Sequence, residues 1–189
     1  MLIDITLRVT PELAQSALKN GEHERFGHLG THFDVMDQEF PLDYFRCPGL
    51  VFDVSGVEGR EIGLEDIALD RVEPGMFVAF HTGFIHREPY GSLTYLHQHP
   101  QLSRPLIQAL VERRAAIIGV DMAGVRRGPE HGEMDRYCAS RGVFIVENLW
   151  GLAPLLEGDG SFTAYTAPLS WAGLTGLPCR VLAEKADRG

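Results

Sequence analysis

Two imidazoles and a carboxylate fall within seven residues of this chain, in the run Gly27-His28-Leu29-Gly30-Thr31-His32-Phe33-Asp34. Imidazole and carboxylate are the side chains that borderline divalent cations such as zinc and manganese accept. If the run is extended, period-two alternation sends His28, Gly30, His32 and Asp34 to one face and Leu29, Thr31 and Phe33 to the other. Gly30 then leaves room between the imidazoles for a metal, a water or a substrate. On a helix the two histidines would still align, but Asp34 would swing away, so the extended reading is preferred. A pair of ordinary histidines beside an ordinary aspartate is the bland alternative. Three candidate ligands on one strand face favour the metal. A strand cannot complete a coordination shell alone, so the rest of the chain must fold back to bring further ligands to this one.

The chain is long enough for that. Its 189 residues, 44% hydrophobic and 23% charged, suit one globular domain over 1–189 with a sizeable core. A formal charge of -9 argues against nucleic acid or an anionic membrane surface as partner. It leaves an anionic substrate open, because a bound cation reverses the local field. Three cysteines, Cys47, Cys138 and Cys179, form no CxxC pair, which fits a reduced cytoplasm and packing roles. The N-terminus lacks a basic region followed by a long apolar run, and no stretch approaches a membrane span. The expected setting is soluble and cytoplasmic, with a small molecule as partner.

Along the chain, Ile3, Ile5, Leu7 and Val9 alternate with polar residues as in a half-buried strand. Thr10 and Pro11 open a short helix through Leu18. Residues 35–45, acidic and aromatic, read as a loop close to the metal, part lid and part wall. Strands are expected at Leu50–Val54, Met76–His81, Ala116–Val120, Val143–Val146, Phe162–Ala167 and Arg180–Ala183. Gly63–Leu69 suggests a helical turn or two, and Ile85–Pro100 an irregular stretch. Longer helices are expected at Ser103–Arg114 and from about Glu130 to Arg141, with Gly142 at the αL cap. In the irregular stretch His86 and His97 read as surface residues, whereas His81, at the end of a strand, and His99 could line the pocket. Glu147 follows Phe144-Ile145-Val146 and will not stay buried without a partner; a metal would be one, an arginine another. His131 and Asp135 stand four apart on the preceding helix, hence on one face, and either could reach the same site.

These residues resemble the cyclase family of metal-dependent hydrolases, which includes bacterial kynurenine formamidases and isatin hydrolase. The family motif His-x-Gly-Thr-His-x-Asp-x-Pro-x-His lies on His28 to Gln38, Thr82-Gly83-Phe84 resembles its Thr-Gly-Trp, and Glu147-Asn148-Leu149 matches another signature. The resemblance implies an α/β fold of the cyclase-like, swivelling β/β/α kind, with a barrel-like mixed sheet core and outer helices, assembled as a homodimer or homotetramer. It also implies one or two zinc or manganese ions held by His28, His32, Asp34 and Glu147. Where the family has a further histidine, twelve residues before the glutamate, this chain has Asp135; His131, one turn earlier, is the other candidate. Gln38 stands where the family has its proton-shuttling histidine, and glutamine takes no proton near neutral pH. Met36 replaces the motif proline. With that histidine missing, Glu147, Asp37 or a pocket histidine such as His81 must handle the leaving-group proton, and Glu147, Gln38 and His81 are the candidate catalytic residues. The implied activity is hydrolysis of C–N bonds other than peptide bonds in a small amide, lactone or cyclic imide, arylformamidase-like. The alternative is a catalytically impaired metal- or metabolite-binding protein on the same scaffold.

Overall fold

The computed structural model describes residues 1–7 and 27–185. The helix expected over residues 10–18 lies outside the described residues, as does Val9 of the first strand. Among the described residues there are eight strands: β1 (Leu2–Asp4), β2 (His32–Asp34), β3 (Arg46–Asp53), β4 (Phe77–His81), β5 (Ile117–Val120), β6 (Phe144–Glu147), β7 (Ser161–Pro168) and β8 (Gly176–Glu184). They pair in the order β1-β8-β2-β6-β5-β4-β3-β7, and a further pairing of β7 with β8 closes seven of them into a barrel. β3, β4, β5 and β6 run parallel to one another, and the remaining pairings are antiparallel. The expected α/β fold with a barrel-like mixed sheet and outer helices is therefore the fold observed.

Strand alternation builds the barrel's two surfaces. Phe33, Val51, Phe77, Ala79, Ile117, Phe144 and Val146 pack together in one apolar cluster, the barrel interior. Their neighbours Leu50, Phe52, Val78, Phe80, Ile118 and Ile145 join a second cluster with the helices outside. Those helices are α1 (Phe84–Arg87), α2 (Leu93–Gln98), α3 (Arg104–Glu112) and α4 (Pro129–Ala139). In α3, Leu106, Ile107, Leu110 and Val111 form the buried stripe, and Ser103 Oγ accepts from the Leu106 amide at the N-cap.

Three sequence expectations change. The stretch 85–100 is not irregular: it holds α1 and α2, and Ser92 Oγ caps the latter through the Tyr95 amide at 3.0 Å. Helices of four and six residues are too short to show a period. β3 begins at Arg46 rather than Leu50, because Arg46–Gly49 pairs with β7 before the β4 ladder begins at Gly49. Finally, His28 to Asp34 is not one extended run. Only His32–Asp34 is strand, and Gly30 turns the chain at φ 70°, a left-handed conformation open to glycine.

Candidate metal centre

That turn brings the histidines together without alternation. With Gly30 left-handed, the chain folds back and places His28 Nδ1 3.1 Å from His32 Nε2. Phe33 enters the barrel while its neighbours His32 and Asp34 stay out of that apolar cluster. β6 lies beside β2 in antiparallel register, with His32 opposite Glu147. Phe144 and Val146 likewise fill the barrel, and Glu147 takes the alternate face. α4 packs against β6 and contributes His131 and Asp135. A sheet pair, the turn that precedes β2 and one helix thus carry six candidate ligands.

They fall into two groups sharing Asp34. The first is His28, His32 and Asp34; the second is Asp34, His131, Asp135 and Glu147, and within each the candidate atoms lie within 4.8 Å of one another. His28 Nδ1 is 3.1 Å from Asp34 Oδ1, and His32 Nε2 is 3.6 Å from both Asp34 Oδ1 and Glu147 Oε2. His131 Nε2 is 3.1 Å from Glu147 Oε1 and 3.4 Å from Asp135 Oδ2. His32, Asp34, Asp135 and Glu147 are buried, whereas His28 and His131 keep about a third of their side chains exposed, 32% and 34%. The exposed imidazoles mark the open sides of the centre.

Among the described residues, four buried carboxylate oxygens, both of Asp34, Oδ1 of Asp135 and Oε1 of Glu147, find no hydrogen-bond donor. Buried charged oxygens without partners are costly. The close approaches of Asp34 Oδ1 and Glu147 Oε1 to imidazole nitrogens lack hydrogen-bond geometry, as expected of ligand atoms aimed at a common point. Burial and the Asp34 charge push the Asp135 and Glu147 carboxyls well above the usual range. For Asp34, burial acts upward too, but the His32 and His28 imidazoles outweigh it and hold the carboxyl well below. One centre thus sets buried carboxylates against each other, and a divalent cation is the partner that such a donor set fits.

The surroundings fix the ligands. His32 Nδ1 lies 2.9 Å from the Gly30 carbonyl, to which an Nδ1–H donates, leaving Nε2 for the centre. Asn148, itself left-handed at φ 58°, donates from Nδ2 to the same carbonyl at 3.0 Å. It also accepts from Tyr95 Oη at 2.6 Å and, at its backbone carbonyl, from Thr31 Oγ1 at 2.8 Å. Tyr90 Oη accepts from the Gly30 amide at 2.8 Å. Two glycines cradle the exposed imidazoles: a Cβ on Gly176 would stand 2.7 Å from the His28 ring, and one on Gly124 2.8 Å from the His131 ring. Of these supports, Gly30, Thr31 and Asn148 sit in motifs that the sequence made visible, whereas Tyr90, Gly124 and Gly176 do not.

The remaining candidates stand apart from the two groups. Gln38 is exposed on the loop after β2, donating from Nε2 to Asp37 Oδ1 at 2.8 Å. His81 has its Nδ1 3.3 Å from Asp53 Oδ1 across β3 and β4, and joins neither ligand group. His86 and His97 are exposed, the former edge-on to Trp150 at 4.3 Å between ring centroids. His99 is buried, its Nδ1 2.7 Å from the Pro100 carbonyl. The 35–45 loop walls an 850 Å³ groove with Leu169, Trp171 and Leu174 opposite, and Thr175 in that wall reaches His28 Nε2 at 3.0 Å. Lid and wall were the expected roles of this loop, and its wall role is the one visible here.

Comparison with solved structures finds the same fold. A protein described as "Potential Metal-Dependent Hydrolase With Cyclase Activity" matches at TM-score 0.76 and 22% identity, over 100% of this chain and 99% of that one. Isatin hydrolase A from Labrenzia aggregata, bound to benzyl benzoate, matches at TM-score 0.73 and 21% identity, over 97% and 93%. A predicted metal-dependent hydrolase from Bacillus stearothermophilus matches at TM-score 0.70 and 21% identity, over 97% of both chains. Comparison with curated proteins gives no match. A family model described as "Putative cyclase" matches residues 3–126, more than half of the chain. With its motifs folded into the barrel these relatives share, the chain belongs to that cyclase family.

Proposed function

We propose that this protein is a metal-dependent hydrolase of a small amide, lactone or cyclic imide. The observation that carries the reading is the set of four unpartnered, buried carboxylate oxygens converging with three imidazoles on one face of the barrel. His28, His32, Asp34 and Glu147 would hold zinc or manganese, together with His131 and Asp135 of α4. Bound there, the ion would polarise a substrate carbonyl and lower the pKa of a coordinated water to ~7. The chain's own residues do the rest. Asp34, held ionised, keeps negative charge at the centre, and Gly30 and Asn148 fix the His32 ring. The groove beside His28, lined by Met36, Phe40, Leu42, Leu169 and Trp171, offers an apolar body of drug-like size a seat next to the reacting carbonyl. Gln38, on the groove wall, can orient a polar group by hydrogen bonding but moves no proton.

That last property supports slow turnover, and it equally favours the second reading, a metal- or metabolite-binding protein. One experiment separates them. Formamides, lactones and imides are offered to the protein loaded with zinc or manganese, to the chelator-stripped protein, and to a His32→Ala variant. Turnover that disappears on stripping and in the variant supports the hydrolase. Stoichiometric metal with no turnover supports the binding protein, and a rate indifferent to both treatments sinks the metal-dependent mechanism.

A further inference from the structure

A second cavity, of 530 Å³, lies between the loop that follows β3, helix α1, the residues that end α2 and Arg127. It shares no lining residue with the metal centre or with the groove beside His28, and its volume is that of a small-molecule site. Its charges do not cancel. Arg60 is held by both oxygens of Asp66, each at 2.6 Å, and Glu61 is taken by Arg126, also at 2.6 Å. Arg87 and Arg127 form no ion pair among the described residues, which leaves Glu58 as the lining carboxylate set against them. One backbone carbonyl steadies each guanidinium, that of Thr82 for Arg87 at 2.9 Å and that of His97 for Arg127 at 3.4 Å. In a chain of formal charge -9, two forks of N–H donors without carboxylates suit an oxyanion from outside.

His99 adds a second requirement. It lines the same cavity, is 1% exposed, and its Nε2 has no partner among the described residues. Its Nδ1 lies 2.7 Å from the Pro100 carbonyl, which can only accept, so Nδ1 carries the proton. Burial keeps the ring neutral, and Nε2 is therefore a bare lone pair in need of a donor. The edge of the imidazole opposite Pro100 is the one left for the cavity. A buried acceptor favours a neutral hydroxyl over an ammonium, which would give up its water at greater cost.

We infer that this cavity is a binding site, separate from the metal centre, for a small anion that carries a hydroxyl: the oxyanion pairs with Arg87 and Arg127, and the hydroxyl donates to His99 Nε2. A hydroxy carboxylate and a hydroxyalkyl phosphate share that chemistry. The test uses the full chain, stripped of metal and dialysed free of chelator so that no anion is drawn to a bound ion. Lactate, propionate, glycerol phosphate and inorganic phosphate are titrated in and followed by calorimetry. Propionate is lactate without its hydroxyl, and inorganic phosphate lacks the hydroxyalkyl arm of glycerol phosphate.

In at least one pair the hydroxyl-bearing anion should bind about fivefold or more tightly than its counterpart, the gain from partnering a buried acceptor. The pair that does so names the oxyanion. Arg87→Gln and Arg127→Gln should each weaken that ligand about tenfold or more, as loss of a charge-assisted contact does. His99→Asn keeps a donor for the Pro100 carbonyl and removes the acceptor, so it should erase the preference for the hydroxyl and leave the counterpart's affinity unchanged. Arg87 is exposed and Arg127 half-buried, so their variants decide the question even if His99→Asn does not fold. Equal affinity within both pairs overturns the site, as does affinity unmoved by both arginine substitutions, or no heat from any of the four at millimolar concentration. Binding that is lost in His32→Ala and kept in the arginine variants puts the ligand at the metal centre; that too overturns the site, and it leaves the hydrolase reading standing.

Discussion

His99 gives the sharpest test of how the interior treats charge. Its ring is buried, Nδ1 lies against the Pro100 carbonyl, and Nε2 meets no partner among the described residues. Burial holds the imidazole at a pKa of about 4, against 6.5 ordinarily, and the Pro100 carbonyl recovers only part of the loss. The charged form is thus disfavoured in the folded state. Above pH 6.5 the ring is neutral whether the chain is folded or not, and stability is complete. Between 6.5 and 4 the unfolded chain takes up a proton that the folded chain refuses, so stability falls as pH falls. That gap corresponds to on the order of 3 kcal/mol, reached near pH 4. For a chain of this length it amounts to roughly 6–12 °C in Tm. The Asp135 and Glu147 carboxyls, pushed upward by burial, act in the opposite direction over part of the same range. A comparison with His99→Asn cancels them, since the amide keeps a donor for the Pro100 carbonyl but has no proton to gain. Thermal or urea unfolding from pH 7.5 to 4, with chelator present, should show the wild type losing about 3 kcal/mol more than the variant. Parallel curves would refute the reasoning: His99 would then be as easily protonated in the fold as in water.

Further outcomes follow from the centre and the barrel. Zinc at a hundred times its Kd should raise stability by about 2.7 kcal/mol, or roughly 5–11 °C in Tm; in His32→Ala, scanning calorimetry should find most of that rise missing. Gln38→His should restore a proton-transferring group to the groove wall and speed any hydrolysis the protein performs. The ceiling is roughly the 100- to 10,000-fold range of general acid–base catalysis, and an unchanged kcat would place Gln38 away from the reacting bond. Gly119→Ala puts a methyl 2.6 Å from the Phe77 ring and 2.8 Å from Leu149 inside the barrel. Overpacking there should cost about 1–3 kcal/mol, read from the urea midpoint. Asn148→Ala leaves the Tyr95 hydroxyl unpartnered and frees the His32 mount, and metal affinity should drop about 10- to 100-fold by calorimetric titration.

Much of this architecture can be read from residue order, and the reasons differ by element. The apolar runs around Val78, Ile118 and Ile145 announce strands because they are buried on both faces, by the barrel on one side and helices on the other. α3 announces itself by a stripe at helical spacing. The ligand types around His28 and Glu147 point to a metal from chemistry alone. What stayed hidden depends on distant partners. In the sequence the turn at Gly30 reads as the middle of a strand, since a glycine between alternating residues serves either purpose. His81 looked like a pocket residue because it ends a buried strand, yet Asp53 on the neighbouring strand engages it. Nothing local in Gly176, Gly124, Tyr90 or Thr175 reveals a part in holding imidazoles; each acquires it only when separate elements meet.

The pairing of β2 with β6 has a kinetic consequence. His32 and Glu147 face each other across a seam that joins an early segment of the chain to a late one, and β8, later still, flanks β2 on its other side. Contacts so far apart in sequence are slow to form. A metal at this seam would clasp a closure that ranks among the last events of folding, so its binding energy should be largely absent from the transition state. Loading the centre should then slow unfolding many-fold while refolding of the chain proceeds at nearly the metal-free rate. Stopped-flow traces with and without chelator would show the clasp in the unfolding limb, and an equal effect on both limbs would mean that the seam closes early.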